Sequence, residues 1–185
     1  MTKAQLTVLA GPTAVGKGTV VAALTKRFPT LNVSISATTR GPRPGELNGV
    51  HYYFVSTQEF DAMIERGDML EWALVHGKNK YGTPRGPVDE ALAAGKPVLL
   101  EIDLAGARQV RTTRPDAQFI FLAPPSWEEL ERRLIGRGTE SPEEQARRLT
   151  TARVELEAAS EFDHVVINDD VERAVDELAR LIGLE

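Results

Sequence analysis

The chain has 185 residues, of which 42% are hydrophobic and 26% charged, with a net charge of −5 and no cysteine. That is the length of one compact domain with small inserts and a real core. It excludes a disulfide framework or thiolate metal site, and its acidic balance does not suit a general nucleic-acid surface. Met1 leads through a short polar stretch into a strand, and neither a signal peptide nor an apolar run of about 18 residues follows. A soluble, cytoplasmic protein with no membrane or nucleic-acid partner is therefore expected. There is no internal repeat and no low-complexity segment.

In chain order, the apolar run Leu6–Ala10 comes first and leads into Gly11-Pro12-Thr13-Ala14-Val15-Gly16-Lys17-Gly18-Thr19, after which Val20-Val21-Ala22-Ala23-Leu24 reads as helix. Strand, glycine loop, lysine and helix form the layout of a phosphate cradle. Glycine serves such a loop where a Cβ would clash or φ is positive. Successive N–H groups then point inward, and the following helix adds partial positive charge. Lys17 is placed to reach the terminal phosphates. Gly18 stands where a Ser or Thr usually ligates Mg²⁺, and the hydroxyl comes one residue later, at Thr19. Water or a carboxylate elsewhere must then complete the metal's shell.

Three further apolar runs, at 98–102, 119–123 and 165–167, lack alternation, as strands covered on both faces do. Helices are expected at 16–28, stopped by Pro29, at 89–94, ended by Gly95, and at 171–182. The last carries a stripe of Val171, Ala174, Val175, Leu178, Leu181 and Ile182. Alternating strands and helices predict an α/β fold on a mainly parallel sheet.

Two stretches break that rhythm. Residues 37–87 begin with a polar, turn-rich loop and continue as strand-like 52–55, a helix over 58–66 opened by the Ser56/Glu59 capping box, strand-like 70–75 and a tight Lys80-Tyr81-Gly82-Thr83. This predicts a small α+β insert. In residues 126–150, Ser126 and Glu129 open one helix, and Gly136 and Gly138 break it around Arg137. Ser141-Pro142-Glu143-Glu144 then starts another. A glycine-flanked break suits a mobile lid.

Several constellations carry chemistry. Arg40 and Arg43, in a loop stiffened by Pro42 and Pro44, suit an oxyanion; Tyr52 and Tyr81 offer hydroxyls. Arg133 and Arg137 share a helical face, with Arg148 on the next helix, although Glu129…Arg133 also reads as an ordinary surface pair. Glu101 and Asp103 end a buried-type strand, where ligands bind in open α/β sheets, and read as magnesium or substrate ligands. Glu71 is either solvent-facing or an acceptor for the two N–H donors of a guanine edge. His51, His76 and His164 show no metal spacing.

Together these pieces resemble guanylate kinase. The resemblance runs from Leu6 to Ile182 and is carried by the phosphate loop, Ser36 to Glu46, Asn48-Gly49, Tyr52, Glu71-Trp72-Ala73, Tyr81-Gly82-Thr83, Glu101-Ile102-Asp103, Arg137-Gly138-Thr139-Glu140 and Asn168-Asp169-Asp170. It implies a P-loop nucleoside monophosphate kinase fold with a core of residues 1–36, 88–125 and 151–185, a GMP-binding insert at 37–87 and a lid at 126–150. It implies transfer of the γ-phosphoryl group of ATP to GMP, with Mg²⁺ as cofactor, by a monomer or homodimer. In the same reading Gly11, Pro12, Thr13, Ala14, Val15, Gly16, Lys17, Gly18, Thr19 and Asn168 bind ATP, with Asn168 near adenine. Ser36, Arg40, Arg43, Glu46, Tyr52, Glu71, Tyr81, Thr83, Glu101 and Asp103 surround GMP. Lys17, Arg40, Arg133, Arg137 and Arg148 act on the transferring group, and Thr19, Glu101 and Asp103 approach the metal. The alternatives are a non-catalytic interaction module of the same fold, which the intact loop argues against, and a kinase for another nucleoside monophosphate, which Glu71 and Thr83 argue against.

Overall fold

In a computed structural model, residues 4–136, 138 and 140–184 are described. Strand β1 (Leu6–Ala10) feeds helix α1 (Lys17–Arg27), and β2 (Asn32–Val33) follows. A second unit then intervenes, made of β3 (Ala37–Thr38), β4 (Tyr53–Phe54), α2 (Thr57–Glu65), β5 (Met69–Val75) and β6 (Asn79–Pro84). The chain returns through α3 (Arg85–Ala93), β7 (Val98–Glu101), α4 (Leu104–Thr113), β8 (Gln118–Ala123), α5 (Trp127–Ile135), α6 (Pro142–Glu157), β9 (His164–Ile167) and α7 (Val171–Ile182).

The main sheet runs β2-β7-β1-β8-β9, all parallel, so β1 lies between β7 and β8. Its strands alternate between two cores. Leu9, Leu99, Ile120 and Leu122 meet α1, α5, α6 and α7 through Val20, Val21, Leu24, Leu130, Leu134, Ala152, Val175 and Leu178. Leu6, Val8, Val98, Leu100 and Phe119 meet α3 and α4 through Val88, Ala91, Ala107 and Val110. With both faces covered, alternation vanishes from the sequence, as expected for buried parallel strands. Strand β9 differs: only Val166 is buried, while Val165 and Ile167 stay exposed at the sheet edge.

The second sheet, β4-β3-β6-β5, encloses a small core of Ala37, Phe60 and Met69, with Tyr53, Met63 and Trp72 packed against it. Its β5 edge is not left open. The Gln109 side-chain amide on α4 donates to the Trp72 carbonyl at 2.9 Å and accepts the Trp72 N–H at 3.0 Å, and the Thr113 hydroxyl donates to the Leu70 carbonyl at 2.8 Å. The unit is thereby tied along one strand to the layer beneath it.

The structure adds elements to the sequence reading. Helix α3 begins at Arg85 rather than 89, and α6 runs unbroken through position 150 to Glu157. Helix α4, which was not anticipated, starts directly after Asp103. Among the described residues, no helix is long and apolar enough to cross a membrane.

Candidate active site

The phosphate loop forms where β1 ends close against its parallel neighbour β8. A Cβ on Gly11 would stand 2.4 Å from the Leu122 carbonyl oxygen, so only glycine lets the chain pass β8. Gly16 then turns with φ of 97°, left-handed, and becomes the N-cap of α1 without a capping side chain. Helices α2, α4, α5, α6 and α7 are capped by Ser56, Asp103, Ser126, Ser141 and Asp170. Helix α1 has neither such a cap nor an acid in its first turn. Its first N–H groups are therefore left for an external anion. Pro12, Thr13, Ala14, Gly16, Lys17, Gly18, Thr19 and Glu101 line a depression of about 230 Å³ over this point. Larger hollows, of about 410 and 630 Å³, lie around Gln5, Leu92 and Arg114 and around Pro29, Asn32 and Pro97, and neither touches the loop.

Lys17 folds back to donate to the Gly11 carbonyl at 2.8 Å. Burial lowers its pKa, while Glu155, Glu101 and Asp103 pull it upward. Glu155 is a residue the sequence reading missed. It comes from α6, accepts the Thr13 backbone N–H, and its carboxyl is raised by burial. Nothing in the sequence joins a mid-helix glutamate to a loop some 140 residues earlier. Glu101 is also raised, by desolvation, with Lys17 opposing. A Cβ on Gly18 would sit 3.9 Å from Glu101 Oε1. A carboxylate thus faces the place where the usual hydroxyl is missing. Thr19 lines the same depression. These hard oxygens suit Mg²⁺, which binds through one or two protein oxygens plus water and phosphate.

Asp103 stands at the corner of the site. As N-cap of α4 its Oδ1 accepts the Gly106 N–H at 2.8 Å, which leaves Oδ2 outward for other work. Its charge acts on Lys17 on one side and on Glu71 on the other. Gly106 carries the link further, since a Cβ there would lie 3.1 Å from both Asp103 Oδ1 and Glu71 Oε2.

Glu71, on β5, is only 8% exposed, so the solvent-facing alternative does not hold. The fully buried Thr83 hydroxyl donates to its Oε1 at 2.7 Å. Burial raises the Glu71 carboxyl, the Thr83 hydrogen bond partly offsets this, and Asp103 adds to it. A buried carboxylate with one oxygen engaged and one facing Gly106 is a receptor for donors.

On β6, two residues before Thr83, Tyr81 begins a cluster with Arg40, Glu46 and Tyr52. Arg40 Nε donates to the Tyr81 hydroxyl at 3.2 Å, so that hydroxyl keeps its own hydrogen to donate. The Arg40 fork grips Glu46 with two bonds of 2.9 Å and also reaches the Gly41 carbonyl, which engages four of its five N–H groups. Glu46 also accepts the Arg43 N–H at 2.8 Å. Arg40 holds its carboxyl down at about 2, with the Arg43 N–H helping. Arg40 lies 5.3 Å from the Tyr52 ring, which meets Tyr81 edge-on. Arg43 is exposed at the rim, and the Ser36 carbonyl accepts the Tyr53 N–H.

The remaining arginines differ in their placement. Arg133 Nη1 donates to the Val15 carbonyl at 3.1 Å, Nη2 to the Asn168 carbonyl at 3.2 Å and Nε to Glu129 at 3.0 Å. Glu129 and Arg133 do pair, but both are half-buried rather than exposed, and the arginine also reaches the phosphate loop. Arg148 is exposed and paired with Glu140 at 2.5 Å. Arg137 lies outside the described residues. Asn168 is 5% exposed, and its Nδ2 donates to the Val15 carbonyl at 2.8 Å.

The guanylate kinase family model matches residues 3–185. A guanylate kinase of Nocardia farcinica is 59% identical over 97% of this chain and 93% of its own length. One of Thermobifida fusca is 61% identical over 97% and 91%. The crystal structure of guanylate kinase from Anaplasma phagocytophilum superimposes with a TM-score of 0.75 at 31% identity, covering 99% of this chain and 86% of that one.

Proposed function

The chain belongs to the guanylate kinase family, and on that premise we propose how its residues divide the work of transferring the γ-phosphoryl group of ATP to GMP. The observation that carries the reading is the turn from β7 to α4. Through the charges of Glu101 and Asp103 it acts on the lysine of the phosphate loop, and through Gly106 it lies against the buried carboxylate of the second sheet. A donor on the loop and an acceptor over Glu71 therefore meet at one corner.

Phosphoryl transfer needs mainly positioning and charge neutralisation. The uncapped start of α1 and the N–H groups from Gly16 to Thr19, at the end of the Gly11–Thr19 loop, hold the ATP phosphates. Lys17 leaves the Gly11 carbonyl to follow the transferring group. Asn168, bonded to the Val15 carbonyl, stands near the adenine end. Ionised Glu71 accepts N1–H and the 2-amino group of guanine, a donor pair adenine lacks, with Thr83 fixing its geometry and Ser36 beside it. The Tyr81 and Tyr52 hydroxyls and the last free N–H of Arg40 grip the GMP phosphate, and Glu46 keeps the Arg40 fork rigid. Arg43 adds charge from the rim. Arg137 and Arg148 close from the lid at 126–150, with Arg148 exchanging Glu140 for phosphate, while Arg133 from the same segment holds the loop through the Val15 carbonyl. Each such group supplies on the order of a few kcal/mol of transition-state stabilisation. Glu101, Asp103 and Thr19 are the residues for Mg²⁺, which when bound neutralises charge on the donor phosphates. Residues 37–87 serve as the GMP-binding unit, and the cytoplasm is the proposed site of action.

Release of ADP by the purified protein with GMP, dGMP, AMP, UMP and CMP tests the reading. GMP should be the preferred acceptor by at least about 1,000-fold over AMP, because a hydrogen-bonding site rejects analogues that leave its buried groups unpaired. Equal turnover with AMP, or none with any acceptor, would contradict it.

A further inference from the structure

Two side chains assigned by resemblance to adenine and to the lid converge on one backbone atom. The Val15 carbonyl oxygen accepts from Asn168 Nδ2 at 2.8 Å and from Arg133 Nη1 at 3.1 Å. Neither donor is idle surface. Asn168 is buried, and its own N–H continues the β8–β9 ladder to the Ala123 carbonyl at 2.8 Å. Arg133 is half-buried and spends its remaining reach on the Asn168 carbonyl and Glu129. Gly16 leaves the room for this, because a Cβ there would stand 2.8 Å from Asn168 Nδ2. Of the residues from Pro12 to Thr19, Val15 is the one that does not line the depression over the loop.

A trans peptide unit carries its C=O and N–H on opposite sides, and the chain has no cis peptide. Drawing the Val15 carbonyl toward Asn168 and Arg133 therefore turns the Gly16 N–H the other way, into the depression. The turn is not one the backbone favours unaided, since Ala14, which is not a glycine, has φ of 68°. We propose that Asn168 and Arg133 are positioning residues that clamp the 15–16 peptide so that its N–H faces the phosphates. The clamp joins the end of β9 and helix α5 to the loop, and it acts on any polyphosphate, whatever base is attached. It rests on the reading of Gly11 to Thr19 as the ATP-phosphate site.

Calorimetric titration of the full chain with inorganic tripolyphosphate, ATP and GMP tests the clamp. In Asn168→Ala and in Asn168→Leu, which has similar shape but no donor and no charge, tripolyphosphate and ATP should weaken together by roughly tenfold, the scale of one net hydrogen bond. GMP should bind as before. Arg133→Lys, which keeps the charge but cannot span both carbonyls, should weaken tripolyphosphate in the same direction and serves if the Asn168 variants fail to fold. Loss of ATP affinity with tripolyphosphate unchanged would make Asn168 an adenine contact and overturn the clamp. So would parallel loss of GMP, which would mean general damage. If wild-type protein binds no tripolyphosphate, or Lys17→Ala binds it undiminished, the phosphate-site reading itself fails, and the clamp with it.

Discussion

Glu71 shows how one side chain is held at a cost to the fold for the sake of binding. Burial raises its carboxyl above the ordinary glutamate value. A raised folded-state pKa means that the group's contribution to stability is present at low pH and lost as pH rises through that value. Guanine's donors favour the ionised form, so GMP binding should release a proton and weaken as pH falls. Glu71→Gln should therefore have a melting temperature at pH 7 equal to or above wild type, with the difference vanishing near pH 4. Its kcat/KM for GMP should fall by at least about 100-fold and lose its acid limb. A variant that keeps a wild-type acid limb would place the titrating group elsewhere. At this scale the sequence was informative about residue types but not about partners. It offered Glu71, Thr83, Arg40 and Tyr81 as candidates. The hydrogen bond from Thr83 to Glu71 depends on the β5–β6 register, the Glu46 grip on Arg40 on how one loop folds back, and the approach of Glu155 to Thr13 on a distant helix, none of which residue types alone reveal.

Among the elements, α4 does the most and was the least legible. Its stripe of Leu104, Ala107 and Val110 is visible in the sequence, and Asp103 is a good N-cap. Reading Asp103 only as a ligand hides the helix that begins after it. The strand β6, Asn-Lys-Tyr-Gly-Thr-Pro, likewise looks like a turn. It needs Gly82 because a Cβ there would lie 2.6 Å from the Glu71 carbonyl oxygen. The apolar parallel strands and the capped helices were readable because burial on both faces and capping boxes write local patterns. Helix α4 also satisfies the open edge of β5 through Gln109. Gln109→Leu conserves volume but leaves the partly buried Trp72 N–H and carbonyl without these partners. That should cost about 2 kcal/mol and lower the melting temperature by about 4–8 °C for a chain this long. It should also raise the KM for GMP more than that for ATP, since β5 carries Glu71. An unchanged melting temperature would mean the edge is satisfied some other way.

For the molecule as a whole, a net charge of −5 coexists with a site built for anions. Its cations are engaged by the protein: Lys17 by the Gly11 carbonyl, Arg40 by Glu46, Arg148 by Glu140. Phosphate takes Lys17 and Arg148 from these partners while Glu46 stays on the Arg40 fork, which limits the cost of holding cations together. The central claim is that the loop of inward amides and the Arg40–Tyr81 cluster serve a single transfer across the Glu101–Gly106 turn. Its most direct test is titration with adenosine and guanosine joined 5′ to 5′ through five phosphates. The account predicts one equivalent bound, at least about 100-fold tighter than ATP or GMP alone, since the second half binds at high effective concentration. It also predicts competition with both nucleotides and weakening by Lys17→Ala and by Arg40→Ala alike. Two equivalents bound, or competition with one nucleotide only, would contradict it.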